Sequence, residues 1–395
     1  MNARWTRVDE LFYDGRHNAW PDICRWRERY YVAFNASGVS HGGGHGLSLL
    51  ESVDGERWEQ VLATGQDEWP GGDAVRGGTC PKLLPTPDGL LIFFNYYAAG
   101  EPIAEAQREQ LWREWSALGG GEALFGHWLS HHDTSFVTGC VRTNDGRAFS
   151  EVFPVLDRGW RVWRPHTRAG THYIIGYRCH GQDREITWQL AAMATQPDIE
   201  MFESASLFSS ADGLEWSKVS DIAADDNDEA DFDFTEDGRI LMVSRTGASL
   251  KPERPAMAYR SAPPYATWLP LTLSEPVHAP ALRRFNGRWI LAGRGSVAGT
   301  AVPSRFAPDR EVDQYAATRL WELNEGTGDL IPLSTLPSWG DGSYPGMVPG
   351  PDGDLWVVYY SCSHTVDDNL LMGPGPLPGK TAPTAIYLAR LRLKD

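Results

Sequence analysis

The chain has 395 residues, a formal net charge of −16 at pH 7 and a pI near 5.1. This acidity disfavours a nucleic-acid partner or an anionic membrane surface, because proteins bind both through basic faces. Its 17 Trp, 41 Gly and 27 Pro are typical of a protein built from many short strands and tight turns.

The N-terminus and the cysteines bear on location. The first residues contain no apolar core before a small-residue cleavage site, and no window has the length and apolarity of a membrane span. The five cysteines are far apart and lack CxxC spacing, which favours buried free thiols over metal ligation or catalysis. The sequence therefore predicts a cytoplasmic protein without membrane attachment.

A two-strand unit recurs six times along the chain, and its second strand is strongly apolar each time. Four of the turns inside these units contain Asp-Gly or Asn-Gly, which favour the positive φ that tight hairpins require. Such a repeat is the sequence signature of a propeller or another repeat architecture. The paired segments are residues 21–26 with 30–34, 81–84 with 90–95, 164–167 with 172–177, 230–234 with 240–244, 280–285 with 289–293, and 344–348 with 355–360.

A second repeated feature is a turn of the form [S/T]-x-D-G-x-x-[W/F]. It occurs at residues 52–58, 143–149 and 210–216, each time after an apolar third strand. Its Asp can accept hydrogen bonds from backbone amides, its Gly takes the left-handed conformation, and its aromatic residue packs under the hairpin. We therefore expect a third and a fourth strand to follow each two-strand unit.

The last unit has only three strands before the chain stops, whereas residues 5–12 form a strand-like segment before the first unit. This segment can supply the missing outer strand and close a ring. The sequence thus predicts an all-β fold, a six-bladed β-propeller, as a single domain over residues 1–395. A five-bladed propeller would leave one hairpin unused, and a sandwich would not explain the repeat.

The long insertions all lie between the second and third strands of their units. They span residues 98–134, 180–204, 297–316 and 363–383, so elaboration is expected on one face of the propeller. Residues 103–118 have helical composition and spacing, which predicts a short helix acting either as a lid or as a packing element over the rim.

Polar and aromatic side chains concentrate where inner strands begin and second strands end, around the axial opening of that face. Mutual charge pairing would explain such a set structurally, whereas a site for an anionic or hydroxylated ligand would explain it functionally. The starts contribute Asp22, Lys82, Arg164, His166, Glu229, His278 and Tyr344, and the ends contribute residues that include Tyr177, Arg178, Arg245, Arg294 and Tyr360.

The repeated Asp-Gly turns, residues 227–245 and the segment Gly342-Ser-Tyr344-Pro-Gly-Met resemble the sialidase (neuraminidase) superfamily of six-bladed propellers with Asp-box repeats. The resemblance implies that Glu229 is a general base that activates Tyr344 as the nucleophile on the anomeric carbon of a sugar. It also implies that Arg245 and Arg319 belong to an arginine group that binds a sugar carboxylate.

Two departures from the family pattern bear on the substrate and on the proton donor. Ala19 stands where the family places the first arginine of that group, and the Gly-rich segment 40–46 contains no carboxylate. The proton donor is then His41, His45 or Asp22. No third ligand accompanies the two His of this segment, so no metal site and no cofactor are predicted.

Three functions remain open. The first is a glycoside hydrolase acting on an acidic or highly hydroxylated glycan, with Arg245, Arg319, Arg164 and further cations binding the anion. The second is a polysaccharide lyase in which a His or Tyr removes the proton α to a uronate carboxylate that Arg or Lys82 neutralises. The third is a non-catalytic sugar-binding propeller. All three imply a carbohydrate as the partner.

Overall fold

The computed structural model describes most of the chain, including all six predicted two-strand units. Within these residues the strands form six antiparallel sheets of four or five strands and one two-stranded ribbon. No helix in this part of the chain is long and apolar enough to cross a membrane. The described residues are 3–38, 46–65, 76–99, 105–117, 134–157, 159–179, 203–223, 227–246, 254–296, 301–303, 311–313, 316–363 and 383–393.

The first three sheets follow strand β1 (Ala3–Phe12) along the chain. Each is a meander in which successive strands pair, as the recurring two-strand units and the Asp-Gly turns predict. Their strands are β2 (His17–Trp26), β3 (Arg29–Gly38), β4 (Gly46–Ser52) and β5 (Glu59–Ala63); β6 (Arg76–Pro85), β7 (Leu90–Ala99), β8 (Thr134–Thr143) and β9 (Phe153–Pro154); and β10 (Arg161–Val162), β11 (His166–Arg168), β12 (Thr171–Cys179), β13 (Glu203–Ser210) and β14 (Ser217–Ala223).

The next two sheets repeat the same plan, and the two-stranded ribbon lies in the insertion of the fifth sheet. Their strands and those of the ribbon are β15 (Asn227–Phe234), β16 (Ile240–Thr246), β17 (Met257–Ser261) and β18 (Leu269–Thr272), then β19 (His278–Phe285), β20 (Arg288–Ser296), β21 (Ala301–Pro303), β22 (Glu311–Asp313), β23 (Ala316–Leu323) and β24 (Leu330–Thr335).

The sixth sheet closes the ring, as the sequence predicts. It contains β25 (Trp339–Pro349), β26 (Leu355–Ser363) and β27 (Ala385–Leu393), and β1 is its fourth, outermost strand. β1 pairs antiparallel with β27 from Ala3 opposite Leu393 to Phe12 opposite Ile386. The protein is therefore an all-β, six-bladed propeller whose last blade joins the two ends of the chain.

The insertions join the second and third strands of blades two, three, five and six, which places their attachment points on one face. The predicted helix is present as α1 (Glu105–Ala117), in the insertion of blade two. Most of the remaining inserted residues lie outside the described part of the chain, so the lid function stays a prediction.

Apolar side chains fill the spaces between neighbouring blades. The cluster between blades one and six, for example, joins Val32 and Phe34 to Val358 and Leu388. Polar side chains also connect the blades near the axis. Asp22 Oδ2 accepts a hydrogen bond from the Leu83 amide (2.9 Å), and Asp231 Oδ2 accepts one from the Leu282 amide (2.8 Å).

Four inner strands share a bulge at a residue that directly precedes a proline. In each of them the pairing register shifts at this point, so one extra residue enters the inner strand. Residues with a side chain rarely adopt positive φ, and these four do so beside a proline, which restricts them further. The four residues are Trp20 (φ 55°), Cys80 (φ 55°), Ala279 (φ 50°) and Tyr344 (φ 49°).

Candidate active site

Tyr344 and Glu229 meet in the buried axial region, where blade six faces blade four. The Tyr344 phenol donates a hydrogen bond to Glu229 Oε1. Glu229 Oε2 accepts a hydrogen bond from the Ala279 amide at 2.9 Å, so the bulge of blade five fixes the carboxylate. Both side chains are buried, with exposed fractions of 9% for Tyr344 and 5% for Glu229. The structure thus brings together the two residues that the sequence assigns to the nucleophilic pair.

Arg245 completes this group and is held by two carboxylates. Its Nε donates to Asp228 Oδ1 (2.8 Å), its Nη2 donates to Asp228 Oδ2, and its Nη1 lies 3.2 Å from Glu229 Oε2. Burial alone would lower the pKa of Arg245, but the charges of Asp228 and Glu229 outweigh it and raise this pKa well above its ordinary value. The guanidinium is therefore fixed and permanently charged beside the Tyr344 phenol.

Asp228 is a residue that the sequence reading missed. It directly precedes Glu229, and its own Oδ1 accepts a hydrogen bond from the Glu229 amide at 2.6 Å. The signal was available, because the hairpin of β15 and β16 places Asp228 close to the position opposite Arg245. A carboxylate facing an arginine across a hairpin predicts a bidentate pair.

Aromatic rings and a second arginine surround the Tyr344 ring. The ring centroids of Trp163, Tyr360 and Trp20 lie 5.9, 6.1 and 6.3 Å from that of Tyr344, and Arg294 Cζ lies 5.6 Å from it. Burial, followed by the Glu229 charge, raises the pKa of Tyr344 well above its ordinary value, although Arg245 and Arg294 act in the opposite direction. The phenol is therefore un-ionised at neutral pH, and it needs a base to become a nucleophile.

Two further cations lie close to this group. Arg294 donates to the Gly342 carbonyl through Nε (3.0 Å) and Nη2 (2.5 Å), just ahead of Tyr344 in β25. Arg161 was not among the predicted ligands, yet it lies opposite Tyr177 at the end of the blade-three hairpin. Its charge and that of Arg245 both act on the Cys80 thiol, whose pKa burial raises to about 12. Arg161, Arg245 and Arg294 thus belong to three successive blades.

Asp22, Arg164 and His166 lie together in a buried ionic network instead of lining the opening. Arg164 Nε donates to Asp22 Oδ1 at 2.8 Å, and its Nη1 donates to Asp231 Oδ2 at 2.5 Å. His166 Nε2 donates to Asp231 Oδ1 at 2.8 Å. With Asp22 1% exposed and engaged through both carboxylate oxygens, we remove it as a proton donor, and we remove Arg164 and His166 as substrate ligands.

Lys82 is also buried, with 1% of its surface exposed. Its Nζ has no hydrogen-bond acceptor among the described residues and lies 4.8 Å from the Trp163 ring centroid. Burial, followed by the Arg164 charge, lowers the pKa of Lys82. These surroundings do not offer its ammonium group to a substrate at the opening.

The remaining predicted residues are not brought to the Tyr344 phenol by any contact described above. Arg319 Nη1 donates to Glu275 Oε2 at 2.8 Å, and its Cζ lies 4.9 Å from the Trp321 ring centroid. The backbone of Arg178 belongs to β12, but its side chain and the whole of His41 lie outside the described residues. The roles of Arg319, Arg178 and His41 stay predictions. Among the described residues, no three His, Cys, Asp or Glu side chains are grouped to hold a metal ion.

Solved structures share this fold over almost the whole chain. A protein of unknown function from Dyadobacter fermentans has a TM-score of 0.64 and 17% identity, with both chains covered completely. The endosialidase of phage phi92 has a TM-score of 0.58 and 11% identity, over 100% of this chain and 70% of that one. Trypanosoma rangeli sialidase with 2,3-difluorosialic acid, a covalent intermediate, has a TM-score of 0.54 and 10% identity.

These similarities show the six-bladed propeller fold. The alignment with the Trypanosoma sialidase covers 95% of this chain and 54% of that one, so this chain spans about half of the sialidase's length. A scan of protein-family models and a search of curated proteins gave no match. The activity must therefore be argued from the site.

Proposed function

We propose that the protein is a glycoside hydrolase that acts on an acidic or highly hydroxylated glycan, with Tyr344 as the nucleophile and Glu229 as its base. The observation that carries the proposal is the hydrogen bond from the Tyr344 phenol to the Glu229 carboxylate, beside the Arg245 guanidinium. A structural tyrosine needs only an acceptor, whereas this one has a carboxylate that a buried arginine keeps ionised.

The chemistry follows from the properties of a phenol. A phenol has a pKa near 10 in water and is a poor nucleophile while it keeps its proton. Glu229 takes this proton as the Tyr344 oxygen attacks the anomeric carbon and the bond to the leaving-group oxygen breaks. Water then attacks the same carbon, and Glu229 returns its proton to the departing phenolate. A covalent intermediate described for the Trypanosoma sialidase is consistent with this order of steps.

Arg245 is the proposed ligand for the substrate's anionic group. A guanidinium has five N–H groups, and the contacts with Asp228 and Glu229 use three of them. Two N–H groups therefore remain for a bidentate contact with a carboxylate. Arg294 and Arg161 lie close enough to add positive charge around the same position.

The leaving-group oxygen needs a proton, and the described residues do not provide a donor beside Tyr344. Asp22 is excluded because Arg164 and the Leu83 amide occupy its oxygens. We keep His41 as the proposed donor, because its Gly-rich segment joins β3 and β4 on the face with the insertions.

The unassigned donor also keeps a lyase as a second candidate. In a lyase Tyr344 would act on the proton α to a uronate carboxylate that Arg245 neutralises, and the product would be unsaturated. Burial of Lys82 and His166 removes two of the groups that the sequence offered for this chemistry. Ultraviolet absorbance of the product separates a lyase from a hydrolase, and saturable binding without turnover would indicate a non-catalytic protein.

The experiment is a screen of aryl glycosides, sialosides and uronate oligosaccharides with wild type, Tyr344→Phe and Glu229→Gln. We expect turnover by wild type and a loss on the order of 10²–10⁴-fold in both variants. Tyr359→Phe is the matched control, because it also removes a buried phenol that is hydrogen bonded to a carbonyl, that of Pro337 at 2.9 Å. Undiminished turnover by Tyr344→Phe would refute the proposed nucleophile.

A further inference from the structure

Arg164 connects the strand that carries Glu229 to the strand that carries Tyr344. Its Nη1 donates to Asp231 Oδ2 at 2.5 Å, and Asp231 lies two residues after Glu229 in β15. Its Nη2 donates to the carbonyl of Pro345, the residue directly after Tyr344 in β25, at 2.8 Å. β15 belongs to blade four and β25 to blade six, so these two strands do not pair with each other. One guanidinium therefore joins two blades next to the proposed catalytic pair.

A second guanidinium repeats this connection one step further along β25. Arg283 Nε donates to the Met347 carbonyl at 3.1 Å, and its Nη1 donates to His166 Nδ1 at 2.7 Å. Because a guanidinium only donates, the His166 Nδ1 must accept, and its Nε2 donates to Asp231. Both connections thus end on Asp231, which also accepts a hydrogen bond from the Leu282 amide.

The backbone at Tyr344 needs such support. Ser343 and Tyr344 are consecutive side-chain-bearing residues with positive φ, 87° and 49°. Conformations of this kind persist only where surrounding contacts determine them. The space behind the bulge is also occupied, since a Cβ added to Gly346 would lie 2.9 Å from Asp22 Oδ1, the atom that binds Arg164 Nε. The network therefore lies directly against the bulge that presents the phenol.

We propose that Arg164 is a positioning residue that sets the contact between the Tyr344 phenol and the Glu229 carboxylate through Pro345 and Asp231. The catalytic consequence rests on the proposed function, whereas the positioning itself does not. This role differs from that of a substrate ligand, because Arg164 is 3% exposed and its hydrogen bonds go to the protein.

The test observes the phenol directly and needs no substrate. Tyrosine labelled with ¹³C at Cζ reports hydrogen bonding of each hydroxyl group by NMR, and Tyr344→Phe identifies the resonance among the 14 tyrosines. Glu229→Gln gives the position of this resonance without the carboxylate acceptor. We expect Arg164→Lys, which keeps the charge but loses the fork of donors, to move the Tyr344 resonance toward the Glu229→Gln position.

Arg390→Lys is the matched control. Arg390 also donates to a carbonyl, that of Gly55 at 2.8 Å, and pairs with a carboxylate, Glu56, but it lies at the junction of blades six and one. This variant should lower the melting temperature and leave the Tyr344 resonance in place. If Arg164→Lys lowers the melting temperature but likewise leaves the resonance unchanged, Arg164 is only structural and the proposal is wrong.

Two further measurements cover the other outcomes. If Arg164→Lys does not fold, Arg283→Lys removes the second connection and should move the resonance in the same direction; an unchanged resonance would overturn the proposal. Once a substrate is known, Arg164→Lys should lower kcat at least 10-fold and change KM less than 2-fold, whereas the reverse pattern would contradict a positioning role. If no substrate is found, the proposed function fails while the NMR result still decides the role of Arg164.

Discussion

Tyr344 donates its phenolic hydrogen bond to Glu229 although the two residues are 115 positions apart in the chain. Each comes from the first strand of its blade, and the ring of blades brings these strands around one axis. Glu229 receives two further contacts, from the Ala279 amide and from Arg245, so blades four, five and six all contribute to its position. The pair is a property of the closed ring and is absent from any single blade.

Replacing the carboxylate should change the ionisation of the phenol in a defined direction. Burial is the largest cause that raises the pKa of Tyr344, and the Glu229 charge is the next, whereas Arg245 and Arg294 lower it. Glu229→Gln removes a raising cause and leaves both arginines in place, so the Tyr344 pKa should fall relative to wild type. An ultraviolet difference titration, with Tyr344→Phe subtracted, measures this change. An unchanged or higher pKa would show that the phenol does not sense Glu229.

Arg245 and Arg319 should differ in their effect on anionic ligands. Arg245→Lys removes the bidentate donor set, so the affinity for an acidic sugar should fall about 10- to 100-fold, the range expected for charge-assisted hydrogen bonds. Arg319→Lys should have a smaller effect, because Arg319 is engaged with Glu275 and Trp321. Isothermal titration with sialic acid and with glucuronic acid measures both. Equal losses would return Arg319 to the site, and no loss in Arg245→Lys would remove Arg245 from it.

The architecture could be predicted because the repeat and the turns carry it. Six apolar hairpins, three Asp-Gly turns and a missing outer strand in the last unit were sufficient to predict a closed six-bladed ring. The pairing of β1 with β27 confirms this closure. The turns at residues 52–58 and 210–216 have equivalent hydrogen bonds: Asp54 and Asp212 each accept two backbone amides, and both Trp indoles donate to the turn glycine.

The layer in which each polar side chain lies could not be read from the sequence. Asp22 and Tyr344 both lie at the start of an inner strand, yet Tyr344 precedes a proline and Asp22 follows one. The bulge at this proline inserts an extra residue, so the alternation of side chains is shifted there. Positive φ at residues such as Trp20 and Tyr344 is a tertiary effect with no local signal. Asp22 therefore enters the ionic network instead of the opening.

Asp231 should make stability depend on acid pH. Burial alone would raise its pKa, but the Arg164 charge and the hydrogen bond from His166 lower it well below the ordinary value. The pKa is lower in the folded state than the unfolded value near 3.9, so the ionised carboxylate stabilises the fold above about pH 4, and this stability is lost as the pH falls further. At pH 7, Asp231→Asn should lower the free energy of unfolding by about 3–5 kcal/mol, since it breaks a buried ion pair.

Urea denaturation at pH 7 and at pH 3 measures this dependence. The difference between wild type and Asp231→Asn should be smaller at pH 3, where wild type has lost part of the contribution of Asp231. Asp221→Asn is the control, because Asp221 forms an exposed pair with Lys218 and should change stability little at either pH. An equal difference at both pH values would mean that the cost of Asp231→Asn comes from packing and not from charge.

Gly55→Ala and Gly15→Ala should separate the packing of an Asp-Gly turn from the conformational demand on its glycine. Both glycines have a similar positive φ, 73° at Gly55 and 78° at Gly15. A Cβ at Gly55 would lie 2.0 Å from the Trp356 ring of blade six, whereas a Cβ at Gly15 would have no neighbour within 4 Å. Gly15→Ala should therefore cost about 1–2 kcal/mol of unfolding free energy for the left-handed conformation alone.

Gly55→Ala should cost more, roughly 2–5 kcal/mol, because overpacking against a rigid indole adds to the same conformational cost. Trp356 cannot move aside freely, since its ring stacks on Tyr30 with centroids 4.4 Å apart and is covered by Arg390. Chemical denaturation of both variants gives the comparison. Equal losses would mean that the contact between the blade-one turn and blade six does not stabilise the closed ring, and that closure depends on the pairing of β1 with β27 alone.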